Sequence, residues 1–260
     1  MWQSLLRPSH FLLTALRRSP LLLRLSCIAP LVIVGSLLAP QLVQAESPTL
    51  ISLQFPKSTG DAPRRTAGAG VRGAPACITN HPDQTLVALM PNDRVSLTLS
   101  GQPSFFVFIP PNTAAEGVFE LYLDENHYGS YIERITLSGD PGLVQVTVPP
   151  EISLKTEEDY FWRFSLICDQ KSPENNAIVQ GSVRRTELAP EVIAELEALP
   201  EGSLDRAKFY AENRIWHEAT AMLYDMQENA PDEWSEWLGS VHLGFLMDEP
   251  SALTSSPTLF

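Results

Sequence analysis

Between Thr85 and Thr186, short apolar runs recur at near-regular intervals, each closed by turn chemistry, and this rhythm constrains the fold more than any other feature. The runs are Leu86–Met90, Arg94–Ser100, Ser104–Ile109, Gly117–Asp124, Tyr131–Leu137, Leu143–Val148, Tyr160–Cys168 and Ala177–Thr186. The breaks include Pro91-Asn92-Asp93, Gly101-Gln102-Pro103, Pro110-Pro111-Asn112, Asp124-Glu125-Asn126 and Gly139-Asp140-Pro141-Gly142. Gly, Pro, Asn and Asp are the residues that satisfy turn dihedrals or bond back to their own backbone. In the second run Val95, Leu97 and Leu99 alternate with polar residues, the period of a half-buried strand.

Eight short strands of this kind predict a mainly β domain over residues 77–187, an antiparallel immunoglobulin-like β-sandwich. Tyr160, Trp162, Phe164, Leu166 and Cys168 share one face of the seventh run. Tyr160 opens that strand after the polar turn Thr156-Glu157-Glu158-Asp159, with Leu154 six residues before it, which is the pattern of a tyrosine corner. An aromatic-rich core strand gives the same pattern.

After Thr186 the apolar period lengthens to that of a helix. Pro190 suits a first helical position, and Val192, Ile193, Leu196 and Leu199 form one stripe before Pro200. Ser203 is placed to cap a second helix over Leu204–Glu212. A third is expected from Trp216 to Glu228, and a fourth after Pro231. This helical region, 188–247, carries one tetratricopeptide-like hairpin, with Ala207, Tyr210, Ala219, Leu223 and Pro231 at that repeat's offsets. Residues 248–260 show no periodicity and read as a disordered tail.

The first 45 residues read as a secretory signal peptide. Arg7, Arg17, Arg18 and Arg24 precede an apolar stretch from Cys27 to Ala39, and cleavage is expected between Ala45 and Glu46. An uncleaved anchor over Leu21–Leu42 would have to bury Arg24, which is costly. The sequence therefore predicts export to the periplasm or cell surface, with no stable membrane span after cleavage. Residues 46–76 form an Arg/Gly/Pro-rich linker, poor in large apolar residues after Phe55.

Without those 45 residues the chain keeps 14 of its 18 Lys and Arg and all 31 Asp and Glu, a balance of −17. That charge argues against nucleic acid and anionic membrane as partners. It is concentrated at one end: residues 187–260 hold 15 acids against Arg206, Lys208 and Arg214. Cys27 falls in the leader, which leaves Cys77 and Cys168. In an oxidising compartment such a pair is expected to form a disulfide; two separate buried thiols are the other reading.

Catalytic signatures are absent from the sequence. His81, His127, His217 and His242 lack metal-ligand spacing, no nucleophile elbow occurs, and no cofactor fingerprint is present. Asp124-Glu125-Asn126-His127 lacks calcium-loop spacing and reads as a hairpin turn. Glu157, Glu158 and Asp159 read as a solvated turn. Arg64, Arg65, Arg72 and Gly73, around Gly68-Ala69-Gly70, are a candidate anion- or partner-binding segment, with a flexible spacer as the bland reading. Trp216, Trp234 and Trp237 are candidate partner anchors; burial between helices and sandwich is the commoner fate of such residues.

The run Pro63-Arg64-Arg65-Thr66-Ala67-Gly68-Ala69-Gly70-Val71-Arg72-Gly73, followed by Cys77, resembles the opening of a cyanobacterial exported family, domain of unknown function 928. So do Phe105-Phe106-Val107-Phe108-Ile109-Pro110-Pro111, Tyr160-Phe161-Trp162-Arg163-Phe164-Ser165, Val179-Gln180-Gly181-Ser182-Val183-Arg184-Arg185 and the helical segment Tyr210–Ala219. The resemblance implies a signal-bearing protein and no activity. The expected function is a non-catalytic protein-binding or assembly module of the cell envelope. The alternative is a periplasmic hydrolase or carbohydrate-processing enzyme that uses separated carboxylates.

Overall fold

A computed structural model describes residues 52–57, 77–79, 85–91, 95–122 and 131–248. The expected leader, its cleavage site, Arg64, Arg65, Arg72, Gly73 and the Asp124–His127 turn lie outside the described residues, as does most of the tail.

All eight expected strands form: β1 Val87–Ala88, β2 Ser96–Thr98, β3 Ser104–Ile109, β4 Glu116–Tyr122, β5 Tyr131–Thr136, β6 Gly142–Thr147, β7 Asp159–Leu166 and β8 Ala177–Arg185. They build two sheets, β1-β3-β6 and β2-β8-β7-β4-β5. Every pairing is antiparallel except β2 with β8, where Ser96, Leu97 and Thr98 run parallel to Val183, Arg184 and Arg185. The expected all-antiparallel arrangement is corrected at that edge. Here the chain crosses from one sheet to the other between β1 and β2, which leaves β2 running in the same direction as β8.

Alternation places one core between the sheets. Phe105, Val107 and Ile109 of β3 meet Phe119 and Leu121 of β4, and Trp162, Phe164 and Leu166 of β7. The intervening residues of β3, Phe106 and Phe108, face the other way and are buried too, each 2 % exposed. They join Leu89 and Leu143 in a second core completed by helices. This is why β3 reads as an unbroken apolar run: it is covered on both faces.

The helices are α1 Pro190–Ala198, α2 Leu204–Glu212, α3 Trp216–Met226 and α4 Pro231–Ser240. Pro190 occupies the first turn of α1, and the Ser203 hydroxyl accepts the Arg206 N–H at the start of α2, as expected. The stripe on α1 is weaker than its pattern suggests. Only Leu196 is buried, and Ile193 is 39 % exposed.

Two expectations need correction. Trp216, Trp234 and Trp237 are at most 1 % exposed, so they are the glue of the helical core and not surface anchors. Trp216 and Trp237 stack at 4.7 Å. The core-free linker also does not extend to residues 52–57, because Leu53 and Phe55 are buried in that same core. Phe55 meets Trp216 and Trp237 edge-on, at 5.2 and 5.7 Å. Glu236 of α4 accepts the Leu53 N–H, the Ser52 hydroxyl and the Gln54 amide, and Ser240 Oγ accepts the Phe55 N–H. The Leu53 N–H is the main reason the Glu236 carboxyl sits below its ordinary pKa.

Cys77 and Cys168 are joined by a disulfide across 91 positions, with Cα atoms 5.1 Å apart. Among the described residues, no helix is long and apolar enough to cross a membrane.

Candidate functional site

Four consecutive residues, Ile215 to Glu218, carry most of the polar contact between helices and sheets. They follow a tight turn in which Arg214 adopts φ 62°, a left-handed conformation uncommon outside glycine. Ile215 then bridges Leu97 in parallel, and α3 starts at the next residue. Trp216 Nε1 donates to the Leu89 carbonyl at 3.3 Å. His217 reaches the Ser104 carbonyl through Nδ1 at 2.9 Å and Ser96 Oγ through Nε2 at 2.8 Å. Glu218 Oε1 accepts from Thr98 Oγ1 at 2.7 Å and from the Leu99 and Ser100 N–H groups, each at 2.9 Å.

These contacts explain an inversion in β2. The pattern Val95-Ser96-Leu97-Thr98-Leu99 predicts buried leucines, yet Ser96 and Thr98 are the buried members, at 2 % and 0 % exposure. Leu97 and Leu99 are partly buried, packed against the helical core. The two hydroxyls can be buried because α3 supplies partners for them.

A hydroxyl within hydrogen-bond reach of an imidazole is the arrangement of a nucleophile and its base. Here the surroundings point to a structural joint instead. The Ser104 carbonyl can only accept, so His217 Nδ1 carries the proton and Nε2 is the acceptor for Ser96. Ser96 Oγ also lies 2.9 Å from the Ser182 carbonyl, so its one proton is shared. His217 is 5 % exposed, and burial pushes its pKa down to about 4, which keeps the ring neutral. Phe105 closes over it edge-on at 5.0 Å.

Between α2 and α3 lies an open cleft of about 430 Å³. Glu201, Arg206 and Tyr210 line one wall; Glu218, Met222 and Asp225 line the other. The Arg206 guanidinium is already engaged, with the Leu196 and Leu199 carbonyls at 3.3 and 3.1 Å and with Tyr210 Oη at 3.3 Å. Glu218 therefore belongs to both features. Its Oε1 is fixed by three donors from the sheet side, while its buried Oε2 has no partner. Burial holds the Glu218 carboxyl above its ordinary pKa despite those donors, and burial raises Asp225 as well.

The other sequence candidates fall as follows. Asp159 forms a two-point ion pair with Arg184, at 2.6 and 2.9 Å, and Glu157 accepts from the Thr186 hydroxyl, so that acidic cluster is bound into its turn. His242 is exposed. His81 and His127 lie outside the described residues. Among the described residues no group of His, Cys, Asp and Glu is arranged to hold a metal ion. The cleft itself was not anticipated. Its only sequence trace is the spacing of Glu218, Met222 and Asp225, which puts them on one face of α3.

The model of a family described as Domain of Unknown Function (DUF928) matches residues 67–251, well over half of the chain. No curated protein matches the chain.

Proposed function

We propose a role that starts from one premise: the chain belongs to the Domain of Unknown Function (DUF928) family, whose description names no activity. The protein is an exported binding or assembly module of the cell envelope, and its helical half is the partner-binding face. One observation carries this reading. The acids on and just after α1 stand in solvent while the three bases of the helices are occupied. Glu191, Glu195, Glu197 and Glu201 are exposed on and just after α1. Arg206 is held by backbone carbonyls, Lys208 pairs with Glu212 at 3.9 Å, and Arg214 lies over Phe55 and reaches the Pro56 carbonyl. A rigid surface of one sign steers a partner of the opposite sign. Export is supported by the basic leader with its apolar stretch and by the Cys77–Cys168 disulfide, which belongs to an oxidising compartment.

The β half is read as an immunoglobulin-like sandwich. What supports this is the order β4-β7-β8 in one sheet and β1-β3-β6 in the other, which matches C-F-G and A-B-E of that fold. The Tyr160 hydroxyl, which accepts the Lys155 N–H at 3.1 Å, supplies the corner tie.

The test is capture of a basic envelope protein by the full chain at low and high salt. A triple variant, Glu191→Lys, Glu195→Lys and Glu197→Lys, is expected to lose the partner, as is the wild type at high salt. Capture unchanged by charge reversal sinks the reading. The second reading, a hydrolase with separated carboxylates, draws on the cleft that brings Glu201, Glu218 and Asp225 together. Turnover of glycoside or ester substrates that disappears in Asp225→Asn would favour it.

A further inference from the structure

We propose that residues 52–57 are a peptide ligand held in a receptor groove on α3 and α4, and that one copy of the chain seats this segment in the groove of another. The inference goes beyond the acidic partner face and stands without it.

Recognition comes first. Exposure alternates along the segment: Ser52 and Gln54 face solvent, while Leu53 and Phe55 are 0 % and 5 % exposed. That is the period of an extended chain, yet the segment is a strand of neither sheet. Its backbone is met by side chains instead. The Leu53 N–H donates to Glu236 Oε2 and the Phe55 N–H to Ser240 Oγ, both at 3.0 Å. Glu236 and Ser240 stand four positions apart on α4, about 6 Å along its axis. Two residues of extended chain advance roughly 6.7 Å. The helix thus offers acceptors at the repeat of an extended peptide's inward N–H groups. Ser240 donates its own proton to the Trp237 carbonyl at 2.7 Å, which leaves its oxygen to accept from Phe55.

The pockets supply the choice of side chain. The Phe55 ring meets Trp216 and Trp237 edge-on and lies under the Arg214 guanidinium at 5.4 Å. Backbone bonds that any sequence can make, combined with pockets for alternate side chains, are how extended peptides are recognised. The ligand class is therefore an extended segment with leucine and phenylalanine two positions apart.

The occupant follows from where those contacts end. Among the described residues, the hydrogen bonds and ring contacts of 52–57 all go to Arg214, Trp216, Glu236, Trp237 and Ser240. A second copy carries the same segment and the same five partners, so exchange reproduces these contacts one for one. Residues 58–76 join the segment to Cys77, and a connector of that length reaches at most roughly 60 Å. A small domain is about 30 Å across, so a neighbouring groove is within reach. Charge favours the approach: the connector holds Arg64, Arg65 and Arg72 against Asp61, and Glu191, Glu195 and Glu197 of α1 stand in solvent. A tethered ligand sees its own site at an effective concentration on the order of millimolar, so exchange is read most clearly when self-seating is disabled.

Two full-chain variants and one peptide test this. Leu53→Ala with Phe55→Ala disables the segment and keeps the groove; Phe55→Ala alone serves if the pair does not fold. Glu236→Lys removes acceptors from the groove and keeps the segment. The peptide acetyl-Ser-Leu-Gln-Phe-Pro-Lys-amide should bind the segment-disabled chain saturably, shift its tryptophan emission to the blue and raise its Tm by several degrees. Alanine in place of the peptide's phenylalanine should weaken binding at least about tenfold, and so should the filled groove of the wild type. Mixed in equal amounts, the two variants should sediment as a one-to-one complex that the peptide dissolves, while each alone stays monomeric. A native peptide that fails to saturate the segment-disabled chain overturns the receptor, and a mixture that stays monomeric overturns the second copy as its occupant. Adding the α1 charge reversals to the segment-disabled chain should leave peptide binding unchanged, which keeps this result apart from the fate of the acidic face.

Discussion

At the scale of single residues, His217 decides the most. Its pKa of about 4 lies below the 6.5 of a free imidazole, so the unfolded chain binds a proton more readily than the folded one. Stability is therefore full above pH 6.5 and is lost as pH falls towards 4, by roughly 3 kcal/mol in total. Glu218 works in the opposite direction. Its raised pKa favours the folded state at low pH, and that contribution fades as pH rises through the folded value. Urea unfolding of the wild type and of His217→Gln isolates the histidine, because Glu218 is present in both. The wild type is expected to lose about 2 kcal/mol between pH 7 and pH 5 relative to the variant. Equal losses would mean that the ring is already charged in the fold. Gly117 offers a packing test. A Cβ there would sit 2.5 Å from Phe164 Cζ, and Phe164 is fully buried with no room to withdraw. Gly117→Ala should cost about 1–3 kcal/mol by the same measurement.

At the scale of elements, the segment 52–57 is the surprise, and its effect is measurable. Phe55 fills the angle between Trp216 and Trp237, so Phe55→Ala leaves a cavity beside two stacked indoles. A loss of about 3–5 kcal/mol is expected, with a red shift of tryptophan emission as water reaches the rings. An unchanged melting curve would show that the strap is not part of the core. The sequence showed the strands because their signal is local: alternation along a run, and Gly, Pro and Asn at its ends. Helix starts were equally local, in Pro190, Ser203 and Pro231. What escaped is held by pairs far apart in the chain. Ser96 meets His217 across 121 positions, and Leu53 meets Glu236 across 183. No window along the sequence contains both partners. The misread face of β2 has the same cause, since Ser96 and Thr98 look like solvent-facing residues until α3 is known to cover them. The cleft was invisible for a related reason: Glu218 looks like an ordinary first-turn acid, and only its fixed Oε1 makes its Oε2 distinctive.

At the scale of the whole molecule, two ties hold distant parts of the chain together, and they should fail differently. The disulfide closes a loop spanning nearly the whole β half, so Cys77→Ser with Cys168→Ser should lower stability by about 2–5 kcal/mol while leaving the fold intact. The joint at α3 is another matter. Phe106, Phe108, Leu89 and Leu143 form one face of the three-stranded sheet, and the helices are its cover. A chain ending at residue 187 would expose that face, and would strip Ser96, Thr98 and the Leu99 and Ser100 amides of their partners in α3. Large exposed apolar faces drive association, and stripped hydroxyls raise the cost further. Such a chain is expected to be insoluble or to bind a hydrophobic dye strongly, even with the disulfide formed. A soluble, monomeric fragment with native-like strand content would show that the β half folds alone and that the helices merely dock. The converse expectation follows from the same contacts. Adding residues 188–248 as a separate chain should rescue the fragment only if the fragment keeps residues 52–57, because Phe55 is what closes the indole pair from outside.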